Sequence, residues 1–158
     1  MTTAAPDPLR LERQLCFSLG AASRAFGGLY RVLLKELGLT YPQYLVMLVL
    51  WERGEVPVKE LGERLRLDSG TLSPLLKRLE TAGLVLRERS PSDERSVRVR
   101  ATERGEALRA PAREVPRRIA AATGCDLAEM EDLRDRLDRL TAALDSATLT
   151  ERRNAHAR

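Results

Sequence analysis

Histidine is almost missing from this chain of 158 residues: the single one is His156, close to the C-terminal end. A Ser/His/Asp triad needs a histidine in the body of the chain, and a zinc site needs Cys and His at ligand spacing, so neither is expected. There is no glycine-rich phosphate loop, and no cofactor is expected. The two cysteines, Cys16 and Cys125, are too few and too far apart to staple a secreted fold. Apolar runs are short. The longest candidate, around Tyr44 to Trp51, falls well below the ~18 residues that span a bilayer, so no membrane contact is expected. The opening MTTAAPDPLRLERQ lacks the basic start and apolar stretch of a secretory signal, and a cytoplasmic location is the expectation.

What is present is an ordinary globular composition, 43% hydrophobic, in a length that suits one domain with a real core. The net charge of +4 is a modest excess. Its distribution says more. Acidic and basic residues are interleaved almost everywhere except in a stretch holding Arg87, Arg89, Arg95, Arg98 and Arg100, and that local concentration argues for an anionic partner.

The expected fold class is mainly α with a small β wing. Residues 1–8 carry two prolines and small polar residues and are expected to be disordered. Apolar residues at 11, 15, 19, 22, 26, 29 and 33 then mark one face of a long helix ending near Gly38. Thr40 to Gln43, with Pro42 in the first turn, begin a second helix that is apolar on most sides as far as about Arg53. Gly54 to Pro57 form a break. Val58 to Leu65 make a short helix, and Asp68 or Ser69 caps the next one. Its buried stripe is Leu72, Leu75, Leu76 and Leu79; Pro74 removes one backbone bond inside it, and Gly83 ends it. Leu84 to Glu88 and Ser96 to Arg100 alternate as strands of a hairpin, and residues 90–94 read as its turn. A fifth helix starts at Thr102, interrupted by Pro111 and Pro116. Asp126 with Glu129 opens a sixth, whose seam runs through Leu127, Met130, Leu133, Leu137, Leu140 and Leu144. Residues 150–158 are expected to be a flexible tail.

A helix followed by an arginine-bearing hairpin is the layout of a winged helix-turn-helix, here spanning residues 39–101. It offers a rod sized for a major groove and a ribbon that reaches phosphates or a minor groove. Ser69, Thr71 and Ser73 can hydrogen-bond bases or phosphates, and Lys77 and Arg78 can serve phosphates or guanine edges. On the hairpin, Arg87 and Arg95 are further candidates for DNA, and Asp93 is expected to lock the Arg95 guanidinium in one orientation. The bland reading of each such residue is a solvated face. The helical segments 9–38 and 102–149 lie outside the winged unit and carry long apolar seams. The simplest cover for them is a second copy of the chain, so a two-fold dimer reading a near-palindromic site is expected; a monomeric bundle is the alternative.

Cys16 stands beside the seam residue Leu15, where its plain role is a small core hydrophobe. Tyr30 and Tyr41 supply phenols that can donate to a thiolate. Tyr30 is fourteen residues further along the same helix, about 21 Å at 1.5 Å per residue, so one chain cannot bring it to Cys16. A cysteine–tyrosine site would be shared between two subunits. An ordinary thiol is only about 3% thiolate at pH 7, and lowering its pKa by three units takes roughly 4 kcal/mol, within reach of two or three charge-assisted hydrogen bonds.

The segments LERQLCF, LTYPQYLVMLVLWE, LDSGTLSPLLKRLE and SDERSVRV together resemble the MarR family of winged-helix regulators. Cys16 with Tyr30 and Tyr41 is similar to its organic hydroperoxide sensor branch. The resemblance covers residues 9–108 densely and the rest by helix layout. It implies a homodimeric repressor, not an enzyme, that binds operator DNA when reduced and releases it when an organic hydroperoxide oxidises the peroxidatic Cys16. It also implies that Tyr30 and Tyr41 contact that cysteine and that Cys125 is the resolving thiol of an intersubunit disulfide, as in the two-cysteine subgroup. Helix six is the least similar region. Two other readings stand beside this one: a repressor released by a small aromatic ligand with Cys16 structural, and a thiol peroxidase, for which the basic hairpin would have no purpose.

Overall fold

A computed structural model of the chain describes residues 7–157. Of the expected disordered stretch, residues 1–6 lie outside the described ones. The chain divides into two units after Pro116, and each is taken by itself.

In the first unit a 3-10 turn, Leu11–Arg13, leads into α1, Leu15–Leu34. The helix carries no Pro and ends in a second 3-10 turn, Lys35–Leu37, closed by Gly38 at φ 65. That left-handed conformation suits a residue without Cβ. Only Leu33 and Leu34 of α1 are buried. Helix α2, Tyr41–Arg53, starts at a complete capping box. The Gln43 N–H donates to Thr40 Oγ1 (3.4 Å) and the Thr40 N–H donates to Gln43 Oε1 (3.0 Å). Tyr44, Val46, Met47, Leu50 and Trp51 of this helix are buried.

Helix α3, Val58–Leu65, and helix α4, Ser69–Thr81, form the helix-turn-helix. Their junction needs Arg66 at φ 56 and a small residue at Gly62, where a Cβ would lie 3.0 Å from the Leu67 carbonyl. Asp68 is the N-cap of α4, accepting from the Thr71 N–H at 2.8 Å. Leu72, Leu75, Leu76 and Leu79 are buried, so the expected stripe is the core face. Pro74 lies inside α4 without ending it.

The sheet has the order β1-β3-β2, all antiparallel. The expected hairpin is present but longer: β2 is Val85–Ser90 and β3 is Asp93–Ala101. An irregularity between Arg89 and Ser90 lets Ser90 pair with Asp93, so the turn shrinks to Pro91 and Ser92. The third strand, β1, Val56–Pro57, falls where only a break was expected. Two residues carry no alternation to read, and Pro57 is tolerated because the strand is an edge.

The base of the hairpin is held by a short polar relay. Thr102 Oγ1 donates to the Gly83 carbonyl (2.6 Å) and accepts from the Gly105 N–H (3.1 Å). The Trp51 indole N–H donates to the Gly105 carbonyl (3.0 Å). A Cβ on Gly105 would stand 2.1 Å from the Leu84 carbonyl oxygen, so α5, Glu103–Ala107, reaches the strand only with glycine there. The expected fifth helix is broken into α5, α6 (Arg109–Ala112) and α7 (Glu114–Thr123). Pro111 and Pro116 each fall in a first turn, where a missing N–H costs no helical bond.

The second unit holds the remainder of α7 and α8, Leu127–His156. Asp126 and Glu129 form the expected capping box, at 2.9 and 2.8 Å. Of the expected flexible tail over 150–158, residues 150–156 instead continue α8, and residue 158 lies outside the described residues. The apolar seam stops at Leu144, but no Gly or Pro follows to stop the backbone, and Glu, Arg and Ala favour helix. Thr150 Oγ1 also donates back to the Ser146 carbonyl (3.1 Å). No residue of α8 is buried.

Candidate nucleic-acid interface and thiol site

Helix α4 turns its leucines inward, and its 3.6-residue period places Ser69, Thr71, Ser73, Lys77 and Arg78 on exposed positions. Their side chains bond to nothing among the described residues, so three hydroxyls and two cations stand ready for an outside partner. This is the surface expected from sequence.

The hairpin arginines divide into two kinds. Arg87 donates Nε and Nη2 to Glu80 Oε2 (3.0 and 2.8 Å), and its main-chain N–H reaches Glu80 Oε1 (3.4 Å). These bonds hold the Glu80 carboxyl below its ordinary pKa, chiefly through the Arg87 side chain. Arg98 Nε donates to Glu55 Oε2 (3.0 Å), and Arg100 Nη2 donates across the hairpin to Glu88 (3.5 Å). Arg89 and Arg95 have no partner for their guanidinium groups among the described residues, and both are exposed. The expectation for Asp93 needs correction. Its carboxylate accepts the main-chain N–H of Arg95 (3.0 Å), an Asx-type turn contact, and leaves the guanidinium free. Two features of the sequence bear on this division: Glu80 ends the α4 segment LKRLE shortly before β2, and Arg89 alternates with Arg87.

Cys16 lies in the first turn of α1 and is exposed. Around it, Leu11 (59% exposed), Leu15 (61%) and Phe17 (47%) are open as well, so the helix leaves an uncovered apolar strip beside a thiol. Tyr30 lies at the opposite end of α1. There it meets Tyr41 with ring centroids 4.6 Å apart and Tyr44 at 5.9 Å. Tyr44, read from sequence only as a core residue, completes a three-ring cluster. Burial first, then the neighbouring phenols of Tyr41 and Tyr44, push the Tyr30 pKa up to about 12. Tyr44 is raised too, by burial and then Tyr41. These two phenols therefore keep their protons at neutral pH and can act as hydrogen-bond donors. The structure brings the two expected tyrosines together; it does not bring them to the same chain's Cys16, since α1 is one continuous helix.

Cys125 follows Gly124 (φ 70) in the linker before α8 and is half-buried. Its thiol faces the Thr123 carbonyl at 3.8 Å, and its N–H donates to Thr123 Oγ1 (3.2 Å). Among the described residues no group of three His, Cys, Asp or Glu could hold a metal ion, and no helix is long and apolar enough to cross a membrane.

Comparison with known proteins places this geometry. Residues 28–110 match the family described as Transcriptional regulator SarA/Rot. The chain is 50% identical over 135 residues to the HTH-type transcriptional regulator TtmR of Methylorubrum extorquens, covering 85% of this chain and 69% of that protein. It is 48% identical over 128 residues to the organic hydroperoxide resistance transcriptional regulator of Bacillus subtilis, covering 79% and 87%. Among solved structures, reduced AbfR bound to DNA aligns at TM-score 0.72 with 38% identity over 85% of this chain and 94% of that one. Disulfide-formed AbfR aligns at 0.60 with 40% identity over 84% and 93%. A mostly helical chain with a three-stranded wing thus matches relatives that are transcriptional regulators and not enzymes, and this chain belongs to the MarR-type winged-helix family of transcriptional regulators.

Proposed function

We propose that the protein is a homodimeric, redox-sensing repressor that works in the cytoplasm. Reduced, it binds a near-palindromic operator through α4 and the wing. An organic hydroperoxide then oxidises Cys16, and the DNA is released. The observation that carries this reading is the exposed Cys16 on an uncovered apolar strip, at the end of α1 opposite the three-tyrosine cluster. A second α1 running antiparallel would cover the strip and bring the partner's tyrosine end to each thiol, which a single chain cannot do. The named function of the Bacillus relative, and the existence of AbfR in reduced DNA-bound and disulfide forms, support the same reading.

The chemistry balances simply. The Cys16 thiolate attacks the distal oxygen of ROOH; the O–O bond breaks, a proton is taken up, and ROH leaves with Cys16 as sulfenic acid. The phenol hydroxyls of Tyr30 and Tyr41 would donate hydrogen bonds to the thiolate and assist the leaving oxygen. The Cys125 thiolate of the other subunit then attacks the sulfenic sulfur; the S–O bond breaks, the departing hydroxide takes up a proton from solvent to leave as water, and an intersubunit disulfide forms. Such a bond needs Cα atoms within about 7 Å, so its formation constrains the terminal helices and, through them, the spacing of the two α4 helices.

The test uses a duplex that the wild-type protein enriches from a pool of random-sequence duplexes. Binding is titrated before and after cumene hydroperoxide, with non-reducing mass analysis. We expect release by oxidant, a retained dimer mass, and a Cys16→Ser protein that binds but ignores oxidant. Release of DNA from Cys16→Ser by hydroperoxide would overturn the mechanism. One observation favours a second reading, a ligand-released repressor: a hollow of about 310 Å³ whose lining includes Tyr44, Leu48, Trp51, Glu52, Arg109 and Arg113. Release by a small aromatic carboxylate under strictly reducing conditions would select it.

A further inference from the structure

We infer that Glu80 and Arg87 are a positioning pair that sets the wing against the recognition helix, and that Arg87 does not itself touch DNA; this rests on the DNA-binding reading above. Glu80 sits in the last turn of α4 and Arg87 on β2. Between them run two guanidinium–carboxylate bonds at 2.8 and 3.0 Å and one main-chain bond at 3.4 Å. The pair is about one-third exposed, 28% and 33% by side chain. It therefore ties the element that would enter the major groove to the hairpin that would flank it. Arg98–Glu55 and Arg100–Glu88 serve the hairpin elsewhere: the first ties β3 to the residue before β1, the second joins β2 to β3. Arg89 stands on the same face of β2 as Arg87, two residues nearer the tip, and has no carboxylate partner among the described residues. The wing thus has a braced arginine near its base and free ones at Arg89 and Arg95, which are the ones available to phosphates.

The sign of one substitution separates this from the plain reading. Glu80→Gln removes a negative charge beside a polyanion and frees the Arg87 guanidinium. If Arg87 were a phosphate contact, operator binding would stay level or tighten, because electrostatic attraction rises. If the pair positions the wing, binding weakens in spite of the gained positive charge. We expect a loss of about tenfold, the scale of a lost charge-assisted contact. The experiment is a titration of the selected duplex with the full-length reduced protein at several salt concentrations, with hydroxyl-radical footprinting. Footprinting of Glu80→Gln should lose the flanking protections of the wing and keep the central ones of α4, a pattern that general destabilisation would not produce. The exchange Glu80→Arg with Arg87→Glu should return most of the lost affinity. Arg89→Gln should weaken binding and lower the salt slope by about one, as a phosphate contact does. Equal or tighter binding by Glu80→Gln, or an exchange that binds no better than Arg87→Glu alone, overturns the pair. Failure of the wild type to enrich any duplex is a different result: it removes the DNA-binding reading itself.

Discussion

The winged unit and helix α1 treat their apolar residues in opposite ways. Between Tyr44 and Val99 the winged unit closes on its own core, with Val46, Leu50, Leu61, Leu72, Leu76, Leu79, Val85 and Val99 buried, and the polar groups at the hairpin base are bonded within the chain. Helix α1 shows an equally regular apolar face, yet Leu15 and Phe26 along it are 61% and 42% exposed. The same periodicity thus has two meanings. In α4 it describes a core, and in α1 it describes an exposed face, which the dimer proposed above would cover. Helix α8, taken by itself, resembles α1, since its seam residues Leu133 and Leu144 are 52% and 58% exposed.

The sharpest way to break the self-contained half is Gly105→Ala. The new methyl would overlap the Leu84 carbonyl at 2.1 Å and press on Met47, so α5 must move off the strand. A loss of roughly 3 kcal/mol or more in urea unfolding is expected, the upper end for overpacking. On the open half, Phe26→Glu should leave the winged core folded, as judged by the near-ultraviolet signal of Trp51. Dimer dissociation by sedimentation should rise roughly thirtyfold, as for a lost interface anchor of about 2 kcal/mol. If Phe26→Glu instead unfolded the chain without changing its mass, α1 would be a core helix and the contrast would fail. The smallest effect concerns alkali. The folded Tyr30 keeps its proton to about 12, while the unfolded phenol loses it near 10. Between those values the unfolded state binds fewer protons, so stability falls as pH rises and levels off above the folded pKa. Tyr30→Phe should remove that part of the slope between pH 10 and 12, read from denaturant midpoints.

What could be read from the chain alone follows the same division. The caps at Thr40, Asp68 and Asp126 and the leucine stripe of α4 are local signals, three or four residues wide, and the structure has them as expected. β1 was invisible because its two residues exist as a strand only by pairing with Val99 and Arg98. The end of α8 was misread because the apolar seam stops before the helix does. Among the site residues, exposure of Ser69, Thr71, Ser73, Lys77 and Arg78 follows from helical phase. The engagement of Arg87 by Glu80, and of the Arg95 main chain by Asp93, depends on how strands approach a helix and how a turn closes, and neither is written in residue order. Tyr44 was hidden in an apolar run, where a phenol and a phenyl look alike.

Trp51 is the only tryptophan in the chain, and its indole N–H is bonded to Gly105 where α2, the hairpin and α5 converge. The protein therefore contains one indole fluorophore, which can be excited at wavelengths where its three tyrosines do not absorb, and it is seated at the joint of the DNA-reading half. Any event that shifts that joint, operator capture among them, will change the surroundings of a single indole. Its emission wavelength can be followed in real time without a label.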